Sequence, residues 1–216
     1  MIGRVLFTLA AAGALALAVS ARARAGADSL RPVARGELRV TLGELAQGPA
    51  GMLRVEAPKL RALVSDGRPQ EAHLRFRYLG PTREDAPLAS GELRRQIGLK
   101  LREQDGCNLV YVMWRIAPRP DLVVSIKRNP GMSRSTECGA GGYRNLKPER
   151  RGALPQLTPG SEHRLSARID GETLKVEVDG ALAWSGRLGA EALELEGPVG
   201  LRTDNGRFDI ELQVPR

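Results

Sequence analysis

Apolar residues recur at every second position in one short segment after another, with turn residues between the segments. This is the spacing of antiparallel strands that bury one face, and it leaves little room for helices. The clearest case is HRLSARIDGETLKVEVDG. Leu165, Ala167 and Ile169 share a face, Asp170-Gly171 reads as a two-residue turn, and Leu174, Val176 and Val178 return on the same side. Asp179-Gly180 then turns the chain into ALAWSGRL. The final segment, GPVGLRTDNGRFDIELQV, reads as a last pair of strands: Leu201, an Asn205-Gly206 turn, then Phe208, Ile210, Leu212 and Val214.

A second meander occupies the middle of the chain: QIGLKLR, CNLVYVMWRI and LVVSIKRN. In its first strand Ile97, Leu99 and Leu101 oppose Gln96, Gly98, Lys100 and Arg102. In its third, Leu122, Val124 and Ile126 oppose Ser125, Lys127 and Asn129. The second is ambiguous; we take Val110, Val112, Trp114 and Ile116 as core, which puts Tyr111, Met113 and Arg115 with the polar set. Upstream, EAHLRFRYLG alternates Leu74, Phe76 and Tyr78 with arginines, and GPTREDAPLASG reads as an exposed loop. EAPKLRALV allows a short helix and GAEALELEG a single helical turn. Without repeats, low-complexity tracts or an evident linker, residues 26–216 are expected to form one all-β domain, a two-sheet antiparallel sandwich.

The amino terminus reads differently. Arg4 precedes an apolar run from Val5 to Val19, and Ala23-Arg24-Ala25 offers a small-x-small cleavage site, with Ala21 as a second choice. Residues 1–25 are therefore expected to be a signal peptide; fifteen apolar residues fall short of the ~20 that a membrane-spanning helix needs. No Cys lies near the site, so lipid attachment is not expected. The product would be secreted or periplasmic, without a stable membrane anchor. Cleavage removes three Arg and no acid, which lowers the net charge from +8 to +5. Without a Lys/Arg block that excess gives no reason to expect nucleic acid, but it suits an acidic polysaccharide. In an oxidising compartment Cys107 and Cys138, the only cysteines, are expected to pair and staple the irregular segment NPGMSRSTECGAGGYRN.

The strings IGLKLREQDGCNLVYVMWRI, HRLSARIDGETLKVEVDGALAWSG and GPVGLRTDNGRFDIEL give the chain from about residue 70 onward a resemblance to the concanavalin A-like lectin/glucanase superfamily. The likeness is to its laminin-G-like and 3-keto-disaccharide hydrolase-type jelly rolls. It implies a curved sandwich whose concave sheet holds saccharide. The glucanase branch carries Glu-x-Asp-x-x-Glu on one strand; here the nearest string, Glu177-Val178-Asp179-Gly180-Ala181-Leu182, lacks the final Glu and runs into a turn. Asp204-Asn205 reads as a turn and not as a calcium site, so neither metal nor cofactor is expected.

The candidate binding residues follow from the polar side of the meander and from the stapled loop. Lys100, Arg102, Tyr111, Arg115, Lys127 and Asn129, with Gln96 beside them, combine an aromatic with planar polar and basic groups, as sugar recognition requires. The loop adds Tyr143 and Arg144, near Arg134, Glu137 and Asn145. Trp114 and Trp184 are read as core. The expected function is non-catalytic binding of carbohydrate, of anionic glycans in particular. A jelly-roll polysaccharide lyase or glycoside hydrolase, or an envelope protein-interaction domain, remains as an alternative.

Overall fold

A computed structural model describes residues 29–216, so the expected signal peptide lies outside the described residues. Two antiparallel sheets pack face to face as a β-sandwich. The first contains β1 (Leu30–Pro32), β3 (Ala46–Gln47), β4 (Leu53–Val55), β6 (Glu71–Pro81), β11 (Arg150–Arg151), β12 (Glu162–Asp170), β13 (Thr173–Val178), β14 (Ala181–Arg187) and β16 (Gly206–Pro215). The second contains β2 (Leu38–Leu42), β5 (Lys59–Val64), β7 (Arg95–Asp105), β8 (Asn108–Ala117), β9 (Asp121–Lys127), β10 (Tyr143–Asn145) and β15 (Gly200–Asp204). Its order is β10-β9-β8-β7-β15-β5-β2, and the first sheet runs β11-β14-β13-β12-β6-β16-β4-β3 with β1 on β16. Only two short α-helices occur among the described residues, α1 (Ser135–Cys138) and α2 (Ala190–Leu193).

The core lies between the sheets and is built from the alternating residues. Leu74, Phe76 and Tyr78 of β6 meet Val110, Val112 and Trp114 of β8, and both tryptophans are core, each 1% exposed. Phe76 makes edge-to-face contacts with Trp114 and Phe208, at centroid distances of 5.7 and 5.9 Å. These pairs lock the sheets at one relative position, because a one-residue slip would turn every aromatic outward.

The structure corrects three expectations about local structure. The segment around Lys59 is strand β5 and not a helix: Leu60, Ala62 and Val64 face the core at period two, and β15 and β2 pair with its two edges. The β12–β13 turn is Gly171-Glu172, one residue later than expected, since Asp170 still pairs with Thr173. Asn205 is not a hairpin turn. The chain there leaves the second sheet, where β15 lies between β5 and β7, and enters the first, where β16 lies between β6 and β4. Asn205 takes a positive φ of 53° at this corner. The segment after β6 is an exposed loop, as expected, and one side chain anchors it. The Asn205 side chain accepts from Ala86 N at 2.8 Å and donates to Ala86 O and Arg94 O at 3.0 and 3.1 Å, tying residues 82–94 against the end of the second sheet.

Candidate functional site

The residues that alternate with the core on the second sheet form its outer face, and strand pairing sets them in cross-strand rows. Asp204, Gln96 and Arg115 make one row. The next holds Arg61, Arg202, Gly98 and Met113, and the third Lys100, Tyr111, Ser125 and Asn145. Lys127 and Tyr143 pair at the far end of β9 and β10. Two walls rise above these rows: residues 88–94, held by Asn205, and the stapled loop at Gly139 and Ala140. Between them runs a groove of about 250 Å³ over Tyr111, Met113 and Arg115. Gly98 keeps its floor low, since a Cβ there would run into the Val112 carbonyl oxygen.

The loop wall is fixed covalently and by hydrogen bonds. Cys107 and Cys138 form the expected disulfide, with Cα atoms 5.9 Å apart. Asn108 donates to Asp105 Oδ1 and to Met132 O, both at 2.9 Å, and accepts from Asn129 N at 2.8 Å. Lys127 donates to Gly139 O and Gly106 O at 3.1 and 3.3 Å. At the short helix α1, Glu137 accepts from Ser133 N and Arg134 N, and these bonds, Arg134's first, hold its carboxyl below the usual range.

Asp204 is the electrostatic centre of the floor. Its carboxylate accepts from Arg61 Nη2 at 2.8 Å and from Arg202 Nε and Gln96 Nε2, both at 2.7 Å. Burial acts to raise its pKa, but Arg202 and Arg61 outweigh that and hold it below the ordinary value. Burial likewise opposes the charge on Arg202, yet Asp204 and the two tyrosines keep its pKa above the usual guanidinium range. Arg202 lies 5.0 Å from the centroid of the Tyr111 ring and donates to the Tyr143 hydroxyl at 3.3 Å. Tyr111 and Tyr143 stack at 5.9 Å; burial raises the Tyr111 pKa, whereas Tyr143 is 42% exposed. Beside them Lys100 and Glu103 form an enclosed ion pair. Burial lowers Lys100 to about 8 and raises Glu103, so desolvation outweighs their attraction.

Two buried atoms of the floor have no protein partner. Gln96 is 2% exposed; its amide nitrogen holds Asp204, but its Oε1 accepts from nothing, and Arg115 Nε opposite donates to nothing. Burial and the nearby Arg94 lower the Arg115 pKa. An unpartnered acceptor and donor, on residues that pair across two strands and line the groove, match a group that both donates and accepts, as a hydroxyl does.

Of the residues expected to bind, Lys100, Tyr111, Arg115, Lys127 and Tyr143 therefore share this face, together with Gln96. Three do not join them. Arg102 sits in a bulge with φ of 49°, which turns it to the opposite side, where it donates to Gln70 Oε1 and Leu193 O. Asn129 is spent on the stapled loop, donating to Cys107 O and Gly141 O. Arg144 alternates with Tyr143 and points away to pair with Glu191. Sequence reasoning missed Arg61, Arg202 and Asp204. The alternation in GLRTD would have given the last two, and a helical reading concealed Arg61.

No family model matches the sequence, and no curated protein matches it. Solved structures share the fold. A carbohydrate-binding module, CBM66 from Bacillus subtilis, superposes with a TM-score of 0.56 at 13% identity, covering 81% of this chain and 91% of its own. A protein of Parabacteroides distasonis designated a glycosyl hydrolase gives 0.52 at 11% identity, covering 85% and 98%. At these identities the likeness establishes the architecture, a jelly-roll β-sandwich.

Proposed function

We propose that this chain is an exported, non-catalytic carbohydrate-binding β-sandwich of the concanavalin A-like type, with a preference for anionic glycans, and that its ligand lies in the groove of the second sheet. The observation that carries the reading is the facing pair Gln96 Oε1 and Arg115 Nε, buried and unpartnered in the floor of a walled groove. An empty hydrogen-bonding pair costs stability, and a sugar hydroxyl answers both atoms together. The exposed ring of Tyr143, which lines the same groove, offers apolar contact for the sugar. The similar structures include a carbohydrate-binding module, which fits this reading.

Binding without chemistry is favoured by how the groove's acids are engaged. Both Asp204 oxygens accept from Arg61, Arg202 and Gln96, and Glu103 is closed against Lys100. General acid–base hydrolysis of a glycoside asks for two carboxyl groups free to face the bond. As part of the proposal, residues 1–25 are removed on export, residues 26–216 are the mature domain, and the disulfide forms in a secreted or periplasmic setting.

The test is a glycan-array and polysaccharide pull-down screen of the oxidised protein at two salt concentrations, with product analysis of every bound polymer. Retention that weakens at higher salt and falls at least tenfold in Arg115→Met supports the proposal. Shortened products would replace it with an enzyme, and silence across the panel would favour a protein-interaction domain.

A further inference from the structure

Past Tyr111 and Tyr143 the groove continues into a cavity of about 700 Å³, bounded by β2 and β5 on one side and the stapled loop on the other. Its character changes there. The wall carries Arg39, Lys59, Arg61, Lys100, Lys127 and Arg202. The nearby acids do not balance them. Glu103 is consumed by Lys100, Asp204 lies beneath Arg61 and Arg202, and Asp105 accepts from Cys107 N and Asn108. Arg39 and Lys59 make no ion pair among the described residues. A recess lined by one sign of charge focuses its field on an incoming counter-charge, and arginine forks suit flat, multi-oxygen anions.

The near half of the groove is different in kind. Gln96 Oε1 requires a donor, so it repels a carboxylate and welcomes a hydroxyl, and in this half Arg94 is answered by Glu92. Gln96, Arg202 and Arg61 gather on one carboxylate, Asp204, so the two halves adjoin across β15.

We propose that the ligand is a mixed glycan segment, with a neutral sugar over Gln96 and Arg115 and an adjoining acidic unit, carboxylated or sulfated, in the recess of Arg39, Lys59, Arg61 and Arg202. This rests on the carbohydrate reading and specifies its substrate class. The tyrosine pair lines both halves, and the cationic recess accounts for an anionic preference that the near half alone would not produce.

Affinity electrophoresis tests it with matched polymers: polyuronates against their carboxyl-reduced forms, and sulfated glycans against their desulfated forms. The wild type is expected to hold one of the acidic forms about tenfold more tightly than its uncharged match, and the double variant Arg39→Ala/Lys59→Ala to bring that ratio close to one. Both substituted residues make no ion pair, and thermal unfolding of the variant checks that it folds. The arm that shows the ratio, carboxyl or sulfate, names the acid. A wild-type ratio near one with binding retained, or a ratio untouched by the double variant, overturns the inference and leaves the carbohydrate reading standing. Failure to retain either form of any polymer overturns both.

Discussion

The sandwich has two outer sheet faces, and both are rich in charge, yet they use it in opposite ways. On the first sheet charges close on each other. Glu162 accepts from Arg75 and Arg77, Asp209 takes Arg54 through both oxygens, and His73 lies between Ser166 Oγ and Glu71 Oε1, at 2.7 Å from each. On the second sheet the charges are sunk beneath walls, one carboxylate serves two arginines, and a glutamine oxygen and an arginine nitrogen are left open. A self-neutralised face satisfies its own hydrogen bonds and asks nothing of a ligand. A face with enclosed, unanswered groups carries a cost that binding removes.

The largest expected break in this contrast is Asp204→Ala. It leaves Arg61 and Arg202 without their carboxylate in an enclosed floor, and breaking a buried pair from one side costs about 3–5 kcal/mol. Chemical denaturation should show that loss, whereas Glu162→Ala on the other sheet should not. Reduction of Cys107–Cys138 ranks next: opening a 31-residue separation removes about 3–4 kcal/mol on the chain-entropy account. It also frees the wall that carries Gly139 and Tyr143, so binding should fall together with stability. Retained binding after reduction would mean that the hydrogen bonds of Asn108 and Lys127 hold the wall alone.

Lys100 and Glu103 sharpen the comparison in a different way, since their pair is buried where those of Glu162 with Arg75 and Arg77 on the first sheet are wet. Lys100→Met should destabilise by about 3 kcal/mol by stranding Glu103, and Lys100→Met/Glu103→Leu should recover most or all of it. The pH dependence has a definite sign. Lys100 titrates near 8 when folded and at its ordinary, higher value when unfolded, so above pH 8 the unfolded chain binds the extra proton and stability rises with pH. That rise should disappear in the double variant. For Glu103 the folded pKa is raised, so its contribution favours the folded state as pH drops below the folded value.

How much of this was written in the sequence depends on what each residue's position required. Alternation such as Leu74-Phe76-Tyr78 reports burial directly, because period two leaves one solution for which face turns inward; the architecture and the core tryptophans were legible for that reason. The disulfide was legible from having two cysteines and a reading of compartment. Sheet order was not. Asp204-Asn205-Gly206 has the composition of a hairpin turn, and only the pairing of β15 with β5 and β7 shows that the chain changes sheets there. Arg102 was misplaced because a bulge inverts the alternation after Leu101, a backbone event with no side-chain signature. The open atoms of Gln96 and Arg115 were invisible altogether, since an unmade hydrogen bond is a property of geometry.

The two faces diverge most informatively at single arginines. Arg115→Met keeps the volume and removes a buried donor that bonds to nothing, so the folded protein should lose no stability and gain up to about 1 kcal/mol, while glycan retention collapses. Arg75→Met deletes one arm of an exposed pair and should cost no more than about 1 kcal/mol, with retention unchanged. The thermal effects are both small and of opposite sign, and only one is accompanied by loss of binding. If Arg115→Met instead destabilises the fold, its guanidinium is held by the protein as Arg75 is, and the difference drawn between the faces fails at the residue on which it most depends.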